Sequence, residues 1–325
     1  MTSRSFPFAS ILQYIVLVII GYILAGAPLL SFVIGPTPDN QKARAGTGRP
    51  SPLSLDKAAG LVIPERNLSC TEHMYKGLHV LSRDPLVVYV EGFLREDEVQ
   101  HVVDVSVLSD PAIQASQYDT KKLIAESQMH FSPSTVWSSG HERLDPTVRL
   151  SEKAPVPRSP AVRCIEERAR AFQGWRPYVF VEKLWAQKYG PGGHYAYHYD
   201  WSNALRGAGR VSSFMVWLGD QCEGGGTRFP RLERPKDEAW CRFIDCEGDA
   251  SEDKGDADED EMGMGVTFKP IRGNAVYWEN MRTDGTGYEE SWHAGLPVTS
   301  GTKLGLNIWS WLQEGYQPLP PEGAV

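Results

Sequence analysis

Apolar and polar residues change their spacing several times along this chain. Ile11 to Ile34 is an almost unbroken apolar stretch without charge. It is long enough to cross a bilayer as a helix, for which about 20 residues suffice. Residues 36–80 are rich in Pro, Gly, Lys and Arg and keep no sustained period, which reads as a stalk or linker. Leu86-Val87-Val88-Tyr89-Val90 is a short apolar run and predicts a buried strand. From Glu96 to Leu108, Val99, Val102, Val103 and Val107 fall on one face of a helix. A second helix is bounded more sharply. Ser159 suits its N-cap, Pro160 suits its first position, and Val162, Ile165, Ala169 and Phe172 make its stripe. Gly174 and Pro177 stop it. Beyond Tyr178 the pattern predicts strands at 179–189, 195–200, 211–218, 274–278 and 302–312, with Gly and Pro between them. Helices first and strands afterwards imply an α+β fold in which helices buttress a β-sandwich or jelly roll. No internal repeat is visible.

Composition sharpens this reading. Of 325 residues 41% are apolar, enough for a sizeable core, and ten Trp with thirteen Tyr favour a β-rich, aromatic-lined interior. A net charge of -8 argues against a nucleic-acid binder. Much of that charge sits in residues 247–261 (EGDASEDKGDADEDE), expected to be a solvated loop insertion. Asp256, Asp258 and Asp260 alternate there, but the turn glycine and final glutamate of an EF-hand are out of register. The apolar stretch is read as an uncleaved signal anchor, with a cleaved signal peptide as the alternative. Arg4 precedes it and Lys42, Arg44 and Arg49 follow, so flanking charge does not settle orientation. The sequon Asn67-Leu68-Ser69 and five cysteines are compatible with an oxidising lumen. Cys241 and Cys246 are a plausible local pair, and the odd count leaves one cysteine unpaired or bonded elsewhere. The expected organisation is an anchor at 1–35, a stalk at 36–80, a folded domain at 81–315 carrying the acidic loop, and a tail at 316–325.

The chemistry sits in His198-Tyr199-Asp200 and a later lone His293. On an extended strand residues i and i+2 share a face, so His198 and Asp200 reach one metal together while Tyr195, Tyr197 and Tyr199 face away. A second strand bringing His293 completes two imidazoles and one carboxylate. That donor set leaves positions open and suits non-haem Fe(II) that activates oxygen. His194, in the glycine-rich turn before the strand, is a competing ligand. Glu223-Gly-Gly-Gly-Thr-Arg-Phe-Pro230 is a tight turn entering a strand. It is no phosphate loop, since neither Lys-Ser/Thr nor a helix follows.

Four ordered blocks carry a family resemblance: Tyr189, Gly192, Tyr195, His198 and Asp200; Gly224, Gly225, Thr227, Phe229 and Pro230; Arg272 to Val276; and His293, Pro297, Val298, Gly301 and Lys303. With these the chain resembles the prolyl 4-hydroxylase branch of the Fe(II)- and 2-oxoglutarate-dependent oxygenases, over residues 85–312. The resemblance implies a double-stranded β-helix, a distorted jelly roll. It implies iron on His198, Asp200 and His293, and Lys303 pairing with the far carboxylate of 2-oxoglutarate. Tyr189 and Thr227 are candidates for the cosubstrate pocket or are core hydroxyls satisfied by backbone. Trp309 is a substrate contact or a core residue. The implied reaction decarboxylates 2-oxoglutarate to succinate and CO2 and hydroxylates an unactivated C–H bond, with O2 consumed, ascorbate as a further cofactor and no side-chain general base.

Leu296 and Ile308 depart from residues common in relatives, as does the long acidic loop. These changes touch the expected substrate groove and leave the metal set intact. The expected substrate is proline in a proline-rich peptide, on an enzyme anchored in the endoplasmic reticulum membrane with a lumenal domain. Rival readings are hydroxylation of another residue or a small molecule, and a silent binder of proline-rich partners. A zinc hydrolase would have to use Glu223 as its base.

Overall fold

The computed structural model describes residues 53–65, 67–107, 131–138, 141–201, 207–246 and 265–318. The apolar stretch Ile11–Ile34 and the acidic segment 247–261 lie outside them. Among the described residues no helix is long and apolar enough to cross a membrane.

In chain order the elements are α1 (Leu55–Ala59), β1 (Gly77–Arg83), β2 (Leu86–Glu91), α2 (Glu96–Val107), β3 (Ser132–Pro133), β4 (Val136–Ser138), β5 (His141–Arg143), β6 (Arg149–Leu150), β7 (Glu152–Pro155) and α3 (Pro160–Phe172). There follow β8 (Val179–Val181), β9 (Trp185–Tyr189), β10 (His194–His198), β11 (Ala208–Gly219), β12 (Cys222–Gly224), β13 (Thr227–Phe229), β14 (Val266–Phe268), β15 (Ala275–Glu279), β16 (His293–Gly295), β17 (Val298–Gly301) and β18 (Lys303–Gln313). A nine-stranded sheet runs β1-β2-β15-β11-β18-β9-β7-β3, with β8 also paired to β18. A five-stranded sheet runs β14-β13-β16-β10-β6.

Period-2 alternation assigns the two faces of the large sheet. Val88 and Val90 of β2, Phe214, Val216 and Leu218 of β11, and Ala275 and Tyr277 of β15 share one apolar cluster with Val99 and Val102 of α2 and Val162, Ile165 and Ala169 of α3. Their neighbours Val87, Tyr89, Met215, Trp217, Val276 and Trp278 turn the other way, into a cluster with Phe229, Val266 and Phe268 of the small sheet. The result is three layers, helices on a large sheet on a small sheet: a jelly roll of double-stranded β-helix type, buttressed by α2 and α3. The second helix forms as its sequence predicts, with the Ser159 hydroxyl accepting from Val162 N at 3.3 Å and Pro160 in the first turn.

Three boundaries differ from expectation. The expected stalk at 36–80 extends too far, because its C-terminal part belongs to the fold. Val62 N donates to Val181 O at 2.8 Å, Lys183 N donates to Gly60 O at 2.8 Å, and Gly77 already starts β1. Cys70 is also bonded to Cys164 of α3. Propensity missed this segment because its order comes from pairing with distant residues. The single strand expected at 179–189 is two, since pairing with β18 breaks after Glu182 N donates to Trp309 O at 2.8 Å and Lys183 N turns instead to Gly60 O. The strand expected to run to Asp200 ends at His198.

Candidate metal centre

Strands β10 and β16 lie side by side and antiparallel in the small sheet, with His198 opposite His293 and Tyr195 opposite Gly295. Between those pairs β10 has one residue more than β16, a bulge that inverts the side-chain alternation. Tyr195 therefore does not face away from the metal ligands as simple alternation requires. Its ring stacks on His198 with centroids 3.6 Å apart. Tyr199 follows the expected direction and packs against Trp201 and Trp292, with centroids 4.6 and 4.5 Å away.

His198, Asp200 and His293 converge, each offering a ligand atom within 4.8 Å of the others. Asp200 Oδ1 is 3.7 Å from His198 Nε2 and Oδ2 is 4.0 Å from His293 Nε2. Both histidines use Nδ1 on a backbone carbonyl, His198 on Ala196 O at 2.8 Å and His293 on Ser291 O at 2.9 Å. With Nδ1–H donating there, each Nε2 keeps a lone pair aimed at the other donors. Phe229 stacks on the His293 ring and Trp278 meets it edge-on, fixing its plane. Burial pushes both imidazoles down, and the neighbouring His293 adds to this at His198, so both are neutral at physiological pH. Burial works against the Asp200 carboxylate, yet the Arg210 guanidinium and the Ser213 hydroxyl keep it ionised. Two neutral imidazoles and one carboxylate are the protonation states a divalent cation requires.

Asp200 lies past the end of its strand, so side chains of other strands hold it. Ser213 Oγ of β11 donates to Oδ2 at 2.7 Å, and Trp309 Nε1 of β18 donates to the same oxygen at 3.0 Å. Asn280 Nδ2 donates to Ser213 Oγ at 2.9 Å. Arg210 Nη1 donates to the Asp200 main-chain oxygen at 3.0 Å.

Lys303 opens β18 opposite Tyr189 of β9 and is 2% exposed. Its Nζ lies 5.3 Å from the centre of the Tyr189 ring, and no carboxylate among the described residues pairs with it. Burial lowers its pKa to about 8. A Cβ placed on Gly295 would be 4.0 Å from that Nζ, and Gly295 is opposite Thr227. Among the described residues the buried Thr227 hydroxyl has no hydrogen-bond partner. A buried ammonium lacking an anion and a buried hydroxyl lacking a partner, both beside Gly295, fit a bound dicarboxylate. Of the two readings of Thr227, a hydroxyl satisfied by backbone is thereby removed.

The competing candidates fall away. His194 Nδ1 is 3.0 Å from Gly192 O and its Nε2 3.3 Å from Thr147 O, outside the cluster. Glu223 is exposed and accepts from Ser300 Oγ at 3.0 Å, so it is no base for a metal hydrolase. Ser213, Asn280, Arg210 and Arg149, whose guanidinium lies 4.5 Å from the Tyr195 ring centre, were not read from sequence. For the two arginines the pattern gave no signal, since Arg210 precedes the strand expected at 211–218 and Arg149 lies in no expected element. Ser213 and Asn280 gave none either.

Comparison with known proteins bears on the domain that carries this site. Residues 184–311 match the 2OG-Fe(II) oxygenase superfamily. Probable prolyl 4-hydroxylase 8 of Arabidopsis thaliana is 23% identical over 241 residues, 73% of this chain and 72% of that one. Prolyl 4-hydroxylase subunit alpha-3 of Homo sapiens is also 23% identical over 241 residues, 71% of this chain but only 34% of the human subunit. The crystal structure of a viral collagen prolyl hydroxylase from Paramecium Bursaria Chlorella virus-1 aligns with a TM-score of 0.45 at 20% identity, over 70% of this chain and 96% of that one. This chain's matched domain and these relatives support a prolyl 4-hydroxylase-like 2OG-Fe(II) oxygenase, a 2-oxoglutarate-dependent dioxygenase.

Proposed function

We propose that this enzyme hydroxylates prolyl residues in peptide chains, with Fe(II) held by His198, Asp200 and His293 and 2-oxoglutarate held by Lys303. The observation that carries this reading is the pairing of three converging neutral or anionic donors with a buried, unpaired ammonium on a neighbouring strand. When bound, the iron and its cosubstrate supply the oxidising chemistry, in which 2-oxoglutarate and O2 give succinate, CO2 and one hydroxyl group on the substrate. The protein's own part is to bind and orient. Lys303 attracts the far carboxylate, Thr227 offers it a hydroxyl, and Tyr189 closes the wall beside the ammonium. Tyr195, Phe229 and Trp278 wedge the imidazoles and keep water from them. Ascorbate would serve to maintain reduced iron.

Peptidyl proline is favoured because the relatives are prolyl 4-hydroxylases and because extended proline-rich chains present accessible rings to aromatic walls. Localisation to the endoplasmic reticulum, through Ile11–Ile34, is part of the same proposal. The Cys70–Cys164 and Cys241–Cys246 disulfides favour an oxidising compartment. The exposed Asn67 sequon would report lumenal orientation through glycosylation.

The deciding experiment is mass spectrometry of proline-rich peptides incubated with the enzyme, Fe(II), 2-oxoglutarate, ascorbate and O2. A gain of one oxygen on proline that His198→Ala abolishes is expected. Succinate formation that stays dependent on His198, with every peptide unmodified, would keep the oxygenase and remove proline as its target.

A further inference from the structure

The segment before β1 makes an unusual approach to the metal centre. Ser54 caps α1, accepting from Lys57 N at 3.2 Å, and Gly60 ends it. Leu61 then bridges to Glu182, and buried Leu61 and Val62 dock the segment between β8 and β9. This places Lys57 Nζ 3.0 Å from Glu182 Oε2 and 3.9 Å from the centre of the Trp311 ring. The same carboxylate accepts from Arg210 Nε at 3.0 Å and Nη2 at 3.2 Å. The remaining Arg210 nitrogen, Nη1, donates to Asp200 O and lies 3.8 Å from Oδ1. The guanidinium also covers Trp309 at 4.1 Å, and Trp309 itself donates to Asp200.

We propose that residues 54–62 are a positioning strap, in which Lys57 holds the Glu182–Arg210 pair against the Asp200 and Trp309 side of the metal site. The inference rests on the iron reading above and adds to it a residue that touches neither metal nor cosubstrate.

The argument is one of charge and geometry. Lys57 and Arg210 supply two cations, and Glu182 and Asp200 supply two carboxylates, so the four-residue set is balanced. Glu182 is shared between the cations, and Arg210 divides its donors between Glu182 and Asp200. Removing the Lys57 ammonium leaves one excess negative charge in a largely buried network. Glu182 then has Arg210 alone to satisfy it, and the guanidinium is drawn toward Glu182 and away from Asp200. Asp200 depends on such partners because it stands beyond the end of β10. Partners that orient a metal ligand directly are worth about 10–100-fold in metal affinity. Lys57 acts one residue further out, so about 3–10-fold is expected.

The test uses Co(II) alone as the probe, titrated into the full chain in detergent and followed by visible absorption, with His293→Ala as the blank. Lys57→Met should bind Co(II) about 3–10-fold more weakly, and Lys57→Arg should return to within about twofold of wild type, since it restores the charge. Val99→Ala, a core change in α2 outside the Lys57–Glu182–Arg210–Asp200 network, controls for general loss of stability. It should lower the melting temperature and leave Co(II) affinity unchanged. Wild-type affinity in Lys57→Met, or equal weakening by Val99→Ala, would overturn the strap. If wild type showed no Co(II) binding beyond the His293→Ala blank, the iron reading would fall, and the strap with it.

Discussion

The Trp309 indole N–H and the Ser213 hydroxyl both donate to Asp200 Oδ2, at 3.0 and 2.7 Å. Two donors on one carboxylate oxygen leave Oδ1, which faces His198 Nε2, as the atom free to bind a cation. Trp309 is thus neither a simple core residue nor only a wall of the substrate groove. It orients Asp200, the proposed metal ligand. Trp309→Phe keeps the aromatic area and deletes the donor. Ser213→Ala deletes the other donor and leaves the buried Asn280 amide without its acceptor. Each should weaken Fe(II) or Co(II) binding about 10-fold or more, and the pair should exceed either alone. Calorimetric metal titration checks this. Unchanged affinity in both single variants would show that backbone alone places Asp200.

Lys303 gives a prediction whose sign is unusual. Burial lowers its pKa from 10.5 to about 8. A base with a depressed folded-state pKa contributes a penalty, complete below about pH 8, where both states are charged. The penalty is relieved as pH rises toward 10.5, where the unfolded lysine too is neutral. Without cosubstrate, Lys303→Met should therefore stabilise the protein at pH 7 by up to about 3 kcal/mol, and that advantage should vanish by pH 10–11. The same variant should lose 2-oxoglutarate. In wild type, affinity for 2-oxoglutarate should hold below pH 8 and fall above it as the ammonium is lost. Urea unfolding at several pH values, beside calorimetric 2-oxoglutarate titration, separates the two effects. A variant less stable than wild type at pH 7 would contradict the unpaired-cation picture.

Gly225 supplies a way to disturb Lys303 without touching its charge. Its φ is +66°, and a Cβ there would lie 3.0 Å from Val298 Cγ2 and 3.2 Å from Lys303 Cδ. Gly225→Ala should cost about 1–2 kcal/mol of stability through the left-handed backbone alone. It should also displace the lysine stem, reducing 2-oxoglutarate affinity several-fold while leaving Co(II) affinity intact, because no metal ligand is in contact. Parallel titrations with the two ligands test this, and equal losses for both would place the damage in the fold.

What was legible in the sequence was whatever local pattern or motif spacing determines. Ser159, Pro160 and the Val162–Ile165–Ala169 stripe predict α3, and it forms. The patterns at 86–90, 211–218 and 274–278 predict strands, and β2, β11 and β15 form there with apolar residues buried on both faces. The motif residues His198, Asp200 and His293 do come together. The disposition of Tyr195 was not legible. A bulge is a relation between two strands, and simple alternation sees only one, so the ring was placed on the wrong face. Nor could the pattern show residues 53–80 as part of the fold. Their order derives from contacts with Glu182, Lys183 and Cys164, each more than 90 residues along the chain from its partner. Ser213 and Asn280 look like ordinary strand residues until Asp200 is known to hang beyond its strand.

The two disulfides offer a last contrast, because they close loops of very different length. Cys70–Cys164 spans a sequence separation of 94 and ties the segment carrying Lys57 to α3, whereas Cys241–Cys246 spans only 5. If cross-links act mainly by restricting the unfolded chain, the long loop is worth about 4–5 kcal/mol and the short one about 2 kcal/mol. Replacing both cysteines of a pair by serine should lower stability in that order, read as ΔG from urea unfolding. Neither replacement should change Co(II) affinity of the folded protein, since neither bridge touches a metal ligand. Equal losses for the two pairs would mean that native packing around each bridge, rather than loop length, sets its contribution. Loss of Co(II) affinity only on removing Cys70–Cys164 would instead mean that the bridge holds the N-terminal strap in register with Glu182.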